Sequence, residues 1–212
     1  MKNYYITIAG NIGVGKSSLV KLLSARKGWE AVLESVTENP YLEDFYADME
    51  RWSFHSQIFF LIRRIQQHHQ LLQNSQSVLQ DRSFYEVAEI FARNLYLHSL
   101  MCPRDCASYY ELYRTLATML APPDLVIYLR ASVPTLRRRI EQRGRPYEQQ
   151  MTTEYLTQLN QLYDDWSAGF SLSPILIVDT DNLDYVQFDS HLEQIWQRIL
   201  DRLQGRDYLS LE

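Results

Sequence analysis

Cysteine is scarce in this chain. Its 212 residues hold two, Cys102 and Cys106, so no disulfide framework can staple the fold. Pro103-Arg104-Asp105 lies between them and no third cysteine completes a metal cage; the pair reads as reduced thiols, in keeping with a cytoplasmic protein. Long apolar runs are missing too, and none reaches the length of a membrane span. Met1-Lys2-Asn3-Tyr4-Tyr5 enters a strand-like run directly, without a signal-peptide pattern. There is no basic surplus: the formal net charge is −5, which argues against a broad nucleic-acid surface. Repeats, low-complexity tracts and Gly/Ser linkers are also absent. The expectation is one domain over residues 1–212, cytoplasmic, with neither nucleic acid nor membrane as partner.

What is present is an alternation. Five short runs, 4–9, 30–33, 77–80, 125–129 and 175–178, are apolar nearly throughout, as expected of parallel strands buried on both faces. Helical stretches separate them at about 16–28, 51–72, 85–100, 108–120, 133–143, 153–167 and 186–203. Gly28 is a suitable stop for the first, and Phe54, Ile58, Leu61 and Ile65 give the second a helical stripe. Strand–helix alternation predicts an α/β fold, a parallel sheet flanked by helices with right-handed connections.

The first strand runs into Gly10-Asn11-Ile12-Gly13-Val14-Gly15-Lys16-Ser17, with Ser18 following. This is the full G-x-x-x-x-G-K-[ST] phosphate loop in its proper place between strand and helix. Glycines let backbone N–H groups turn inward around an anion, and the helix offers its positive end. Lys16 is expected to reach the β- and γ-phosphates of ATP, and Ser17 to ligate Mg²⁺.

Ligands of such sheets sit beyond the carboxyl ends of the strands. Glu34, after strand two, can there take a proton from an attacking hydroxyl, and it would repel an acceptor already phosphorylated. Asp81-Arg82-Ser83, after strand three, offers an acid for Mg²⁺ and an arginine for the reacting oxygen. Arg139 and Arg143 share a helical face and Arg145 follows Gly144, so this basic stretch reads as a lid over the transferring phosphoryl group.

In that order the motifs resemble the deoxyribonucleoside kinases, especially the bacterial deoxyadenosine/deoxyguanosine branch, from about Tyr4 to Tyr185. The resemblance implies a P-loop fold with a five-stranded sheet, a homodimer formed through helices, and transfer of the ATP γ-phosphate to a deoxynucleoside 5′-hydroxyl. It implies a general-base role for Glu34 in Glu34-Ser35-Val36, and a sugar contact for Tyr46 in the segment Asn39–Tyr46. It implies base contacts for Gln57 and Arg64, and a 3′-hydroxyl partner in Glu148. Arg82 matches the family's Glu/Asp-Arg-Ser motif, and Arg139, Arg143 and Arg145 match its lid arginines. Asp179–Tyr185 is similar to the loop that closes over the adenine of ATP, which brings in Asp184 and Tyr185.

Two positions depart from the pattern. Ser35 replaces a proline beside the base, and Val87 stands where an aspartate often helps to recognise the nucleobase. Base preference therefore stays open, with purines favoured and deoxycytidine a further acceptor. His55, His68, His69 and His98 read as structural or surface residues, Phe59-Phe60 as core or dimer interface, and a ring near Phe84-Tyr85 as the candidate for stacking on the base. Two rivals remain: a nucleoside monophosphate kinase, which Glu34 disfavours, and an ATP-binding regulatory protein without phosphate transfer.

Overall fold

The computed structural model describes residues 3–33, 38–71, 75–145, 148 and 151–205. Five strands, β1 (Tyr5–Gly10), β2 (Glu30–Val32), β3 (Val78–Asp81), β4 (Leu125–Arg130) and β5 (Ile175–Asp179), form one sheet in the order β2-β3-β1-β4-β5. Every pairing is parallel, as expected. The register sets Ile8 beside Asp81 and Gly10 beside Leu129, so the ends of β1, β3 and β4 arrive at one edge.

Alternation along the central strands feeds two cores. Ile6, Ile8, Leu125, Ile127 and Leu129 pack with Leu19 and Leu23 of α1 (Lys16–Lys27) and Ile195 and Trp196 of α9 (Asp189–Leu203). Ala9, Val126 and Tyr128 face the other way, onto Phe84, Tyr109 and Tyr163. Leu19 and Leu23 are wholly buried, which contributes about 1.5–3 kcal/mol each. Gly28, in the left-handed region at φ 68°, ends α1.

The other helices are α2 (Leu42–Ala47), α3 (Met49–Leu71), α4 (Phe84–Glu86), α5 (Arg93–Leu97), α6 (Pro103–Ala117), α7 (Val133–Arg143) and α8 (Thr153–Gly169). Three differ from the sequence reading. The short α2 lacks the length for a periodic signal. The helix starting with α6 opens at Pro103, earlier than residue 108, because Cys102 caps it by accepting from the Asp105 N–H at 3.4 Å and proline suits the first turn. The stretch expected as one helix over 85–100 is wound as a π-helix from Val87 to Ala92, between α4 and α5. Both cysteines are free, and among the described residues no helix is long and apolar enough to cross a membrane. His68 is buried with its ring edge against Tyr5, and burial lowers its pKa.

Candidate active site

A cleft of about 930 Å³ opens where β1 and β3 end, lined jointly by Lys16, Ser17, Asp81 and Arg82 and by Gln57 and Val87. A larger cleft of about 1410 Å³ lies on the far side of the phosphate loop, lined by Gly15, Ser18, Arg139, Asp184 and Tyr185 among others. Gly13 and Arg143 border both.

The loop is held from several directions. Gly13 and Gly15 adopt φ 84° and 109°, a region that favours glycine. Contact imposes a second demand. A Cβ on Gly15 would stand 2.1 Å from the Tyr185 hydroxyl, and one on Gly13 would stand 2.7 Å from Ile140. Tyr185 is buried, and its hydroxyl donates to the Val14 carbonyl at 3.4 Å. Burial raises its pKa to about 12, with Arg139 working against that shift. The Asn11 amide donates to the Leu156 carbonyl and to Asn160 of α8, at 2.9 and 2.7 Å, while its oxygen accepts from the Ile12 N–H. Lys16 is buried, and its ammonium donates to the Gly10 and Asn11 carbonyls at 2.8 and 2.9 Å.

Beside the loop, the Ser17 hydroxyl donates to Asp81 Oδ2. The other oxygen, Asp81 Oδ1, is buried without a hydrogen-bond partner. An orphaned carboxylate oxygen next to a serine hydroxyl is a donor set suited to a hard divalent cation such as Mg²⁺. Arg82 follows at φ 68°, unusual for a residue with a side chain, and such backbone outliers gather at functional sites. Its guanidinium donates to the Tyr163 hydroxyl at 3.0 Å and lies 4.2 Å from the centroid of the Phe91 ring. Tyr155 also lines the cleft; burial raises its hydroxyl to about 12, opposed by the Arg82 charge.

Of the expected acceptor-side residues, Tyr46, Gln57, Arg82, Val87 and Glu148 share this cleft. Gln57 is buried with its Oε1 unpartnered. Arg64 is buried but does not line it: its guanidinium donates to Gln67 at 2.9 Å beside a smaller neighbouring cavity. Glu148 is buried and accepts from Arg143 Nε and Nη2 at 2.9 and 2.6 Å and from Arg145 at 3.3 Å. The three arginines therefore part company. Arg143 and Arg145 line the cleft, whereas Arg139 donates to Val14, Thr180 and Leu183 and helps to wall the second cleft. Asp184 is at the same wall, its carboxylate accepting from the Val186 and Gln187 N–H groups. Glu34 and Ser35 lie outside the described residues.

The aromatic assignments change. Phe84 and Tyr85 are core residues and do not line the cleft; Phe60, Phe91 and Phe45 do. Phe60 was recoverable, since it lies three residues beyond Gln57 on one helical face. Phe91 was recoverable in the same way, since it lies four residues beyond Val87.

Comparison with protein families matches the chain, over residues 6–204, to the family described as deoxynucleoside kinase. It is 39% identical over 202 residues to the deoxyadenosine/deoxycytidine kinase of Bacillus subtilis (strain 168), covering 93% of this chain and 92% of that one. It is 36% identical to the deoxyguanosine kinase of the same organism, covering 90% and 93%. Among solved structures, deoxyadenosine kinase from M. mycoides with the products dCMP and a flexible dCDP bound is similar, with a TM-score of 0.83, 31% identity and coverage of 93% and 99%.

Proposed function

The chain belongs to the deoxynucleoside kinase family and is an ATP-dependent kinase of deoxynucleosides; from that premise we propose how its residues divide the work. The supporting observation is the shared cleft, in which phosphate-loop residues and Asp81-Arg82 line the same space as Gln57 and Val87. The γ-phosphate of ATP lies at Lys16 and Ser17, cradled by the backbone from Gly10 to Ser18, with the nucleotide extending past Arg139, Asp184 and Tyr185. Ser17 and Asp81 hold Mg²⁺, which when bound screens charge on the phosphates. Glu34 takes the proton of the 5′-hydroxyl, while Lys16, Arg82, Arg143 and Arg145 stabilise the phosphoryl group in transfer. Tyr46 and Glu148 hold the sugar. Arg64 stands one layer behind the base.

Gln57 is the base-reading side chain. An amide pairs a donor with an acceptor, matching the amino group and adjacent ring nitrogen that adenine and cytosine both present. Deoxyadenosine and deoxycytidine are accordingly the favoured acceptors, as the name of the Bacillus relative also suggests. The same reading takes residues 1–212 as one cytoplasmic domain acting in nucleotide salvage. It acts as a homodimer formed through helices, on which Ile62 of α3 and Leu112 of α6 are each exposed.

A phosphate-transfer assay with MgATP and deoxyadenosine, deoxycytidine, deoxyguanosine, thymidine and dTMP tests this. Deoxyadenosine and deoxycytidine should be phosphorylated at the 5′ position and dTMP left untouched. Transfer to dTMP alone would overturn the acceptor assignment. Near-full turnover by Glu34→Gln would overturn the base.

A further inference from the structure

Glu86 is wholly buried, lines neither cleft, and yet touches parts of three elements. Its Oε2 accepts from the Ser83 N–H at 2.7 Å and the Ser83 hydroxyl at 3.1 Å. The bond from the N–H belongs to a capping box that starts α4, whose other half is the Glu86 N–H donating to the Ser83 hydroxyl. A cap needs only that oxygen. The other, Oε1, accepts from the Tyr163 hydroxyl at 2.7 Å and from the N–H of Gly10, first residue of the phosphate loop, at 3.3 Å. The Tyr163 hydroxyl in turn accepts from Arg82 at 3.0 Å. One carboxylate thus joins the start of the phosphate loop, the turn after β3 and helix α8, and Arg82 hangs from its far end.

We propose that Glu86 is a positioning residue for phosphoryl transfer, acting through Tyr163 to fix the Arg82 guanidinium relative to the phosphate loop. This rests on the reading of Arg82 as a contact at the reacting end. Arg82 has its backbone in the left-handed region, its guanidinium against Phe91 and one guanidinium nitrogen donating to Tyr163, so the tyrosine hydroxyl is one of the groups that set its direction. A buried carboxylate suits the brace because it accepts on both oxygens at once. An amide in its place offers one acceptor only, and turns a donor toward either the Ser83 donors or the Gly10 and Tyr163 donors.

The test compares kcat and KM in Tyr163→Phe, Glu86→Gln, Arg82→Gln and the double variant Tyr163→Phe/Arg82→Gln, each assayed well below its own Tm. Phenylalanine keeps the stacking of residue 163 on Tyr128, whose ring centroid is 5.6 Å away, so this variant should fold even if Glu86→Gln does not. Loss of placement should lower kcat by about 10-fold in Tyr163→Phe and about 100-fold in Glu86→Gln, with KM for deoxyadenosine within about twofold of wild type. Adding Tyr163→Phe to Arg82→Gln should cost nothing further, because both act at one guanidinium. A lowered Tm with kcat preserved, or losses that multiply in the double variant, would overturn the proposal and leave Glu86 a helix cap. An unchanged kcat in Arg82→Gln would instead overturn the role of Arg82, and the proposal with it.

Discussion

On one side of the cleft the backbone makes the surface; on the other, side chains do. The phosphate loop is one continuous segment, shaped by glycines at φ 84° and 109° and by the helix that follows. The acceptor side gathers Phe45 from α2, Gln57 and Phe60 from α3, Val87 and Phe91 from the π-helical segment and Tyr155 from α8. A surface of the first kind binds any phosphate chain, since its donors are main-chain N–H groups common to all sequences. One of the second kind is free to change with each substitution. The chemistry should therefore fail outright when the first is damaged, whereas damage to the second should shift choice among substrates.

Lys16→Met sets the upper limit. With its charge removed from the loop, kcat should fall on the order of 1000-fold, while Tm stays close to wild type. A steady-state assay beside a thermal melt separates the two. Should kcat fall less than tenfold, the loop would not be the seat of charge stabilisation and the contrast between the sides would collapse.

Gly15→Ala probes the same side through packing. The new methyl meets the Tyr185 hydroxyl at 2.1 Å in a backbone held at φ 109°. Overlap and left-handed strain together should cost about 2–4 kcal/mol of stability, read by denaturant unfolding. Adding Tyr185→Phe removes the hydroxyl but leaves the ring carbon at 3.2 Å, so it should restore part of the loss and not all. No recovery would mean that strain alone decides, and that Tyr185 does not brace the loop.

The same contrast governs what could be read from the residues alone. The sheet, its five strands and the phosphate loop are local patterns, and each landed within a residue or two of its expected place. Convergence of Asp81 and Arg82 beside Ser17 followed from strand ends meeting at one edge. The base side depends on where helices aim their side chains. Residues 87, 91 and 95 are four apart, a spacing that keeps them on one broad face even in an ordinary helix. All three line the cleft across the π winding from Val87 to Ala92, which no residue type announces. Tyr163 is likewise joined to Arg82 only by the folded chain, 81 residues apart in sequence. Ser83-Phe84-Tyr85-Glu86 did carry a signal, the capping-box spacing, although nothing in it reveals the use of the second oxygen.

The mildest test concerns Val87, which is buried at the cleft wall. Val87→Asp adds a carboxylate that, set against the exocyclic position of a pyrimidine, accepts from the amine of cytosine and repels the carbonyl oxygen of thymine. Its burial should cost about 1–3 kcal/mol of stability, so transfer has to be compared between substrates rather than with wild type. The ratio of kcat/KM for deoxycytidine to that for thymidine should rise by about 10-fold, the worth of one added polar contact. Both substrates are pyrimidines of like size, which keeps packing against Phe60 and Phe91 nearly constant. Lys16, Ser17 and Asp81 are untouched, so KM for MgATP should hold. A ratio that stays put while both rates fall together would mean that Val87 packs against the base without reading it, leaving discrimination to Gln57.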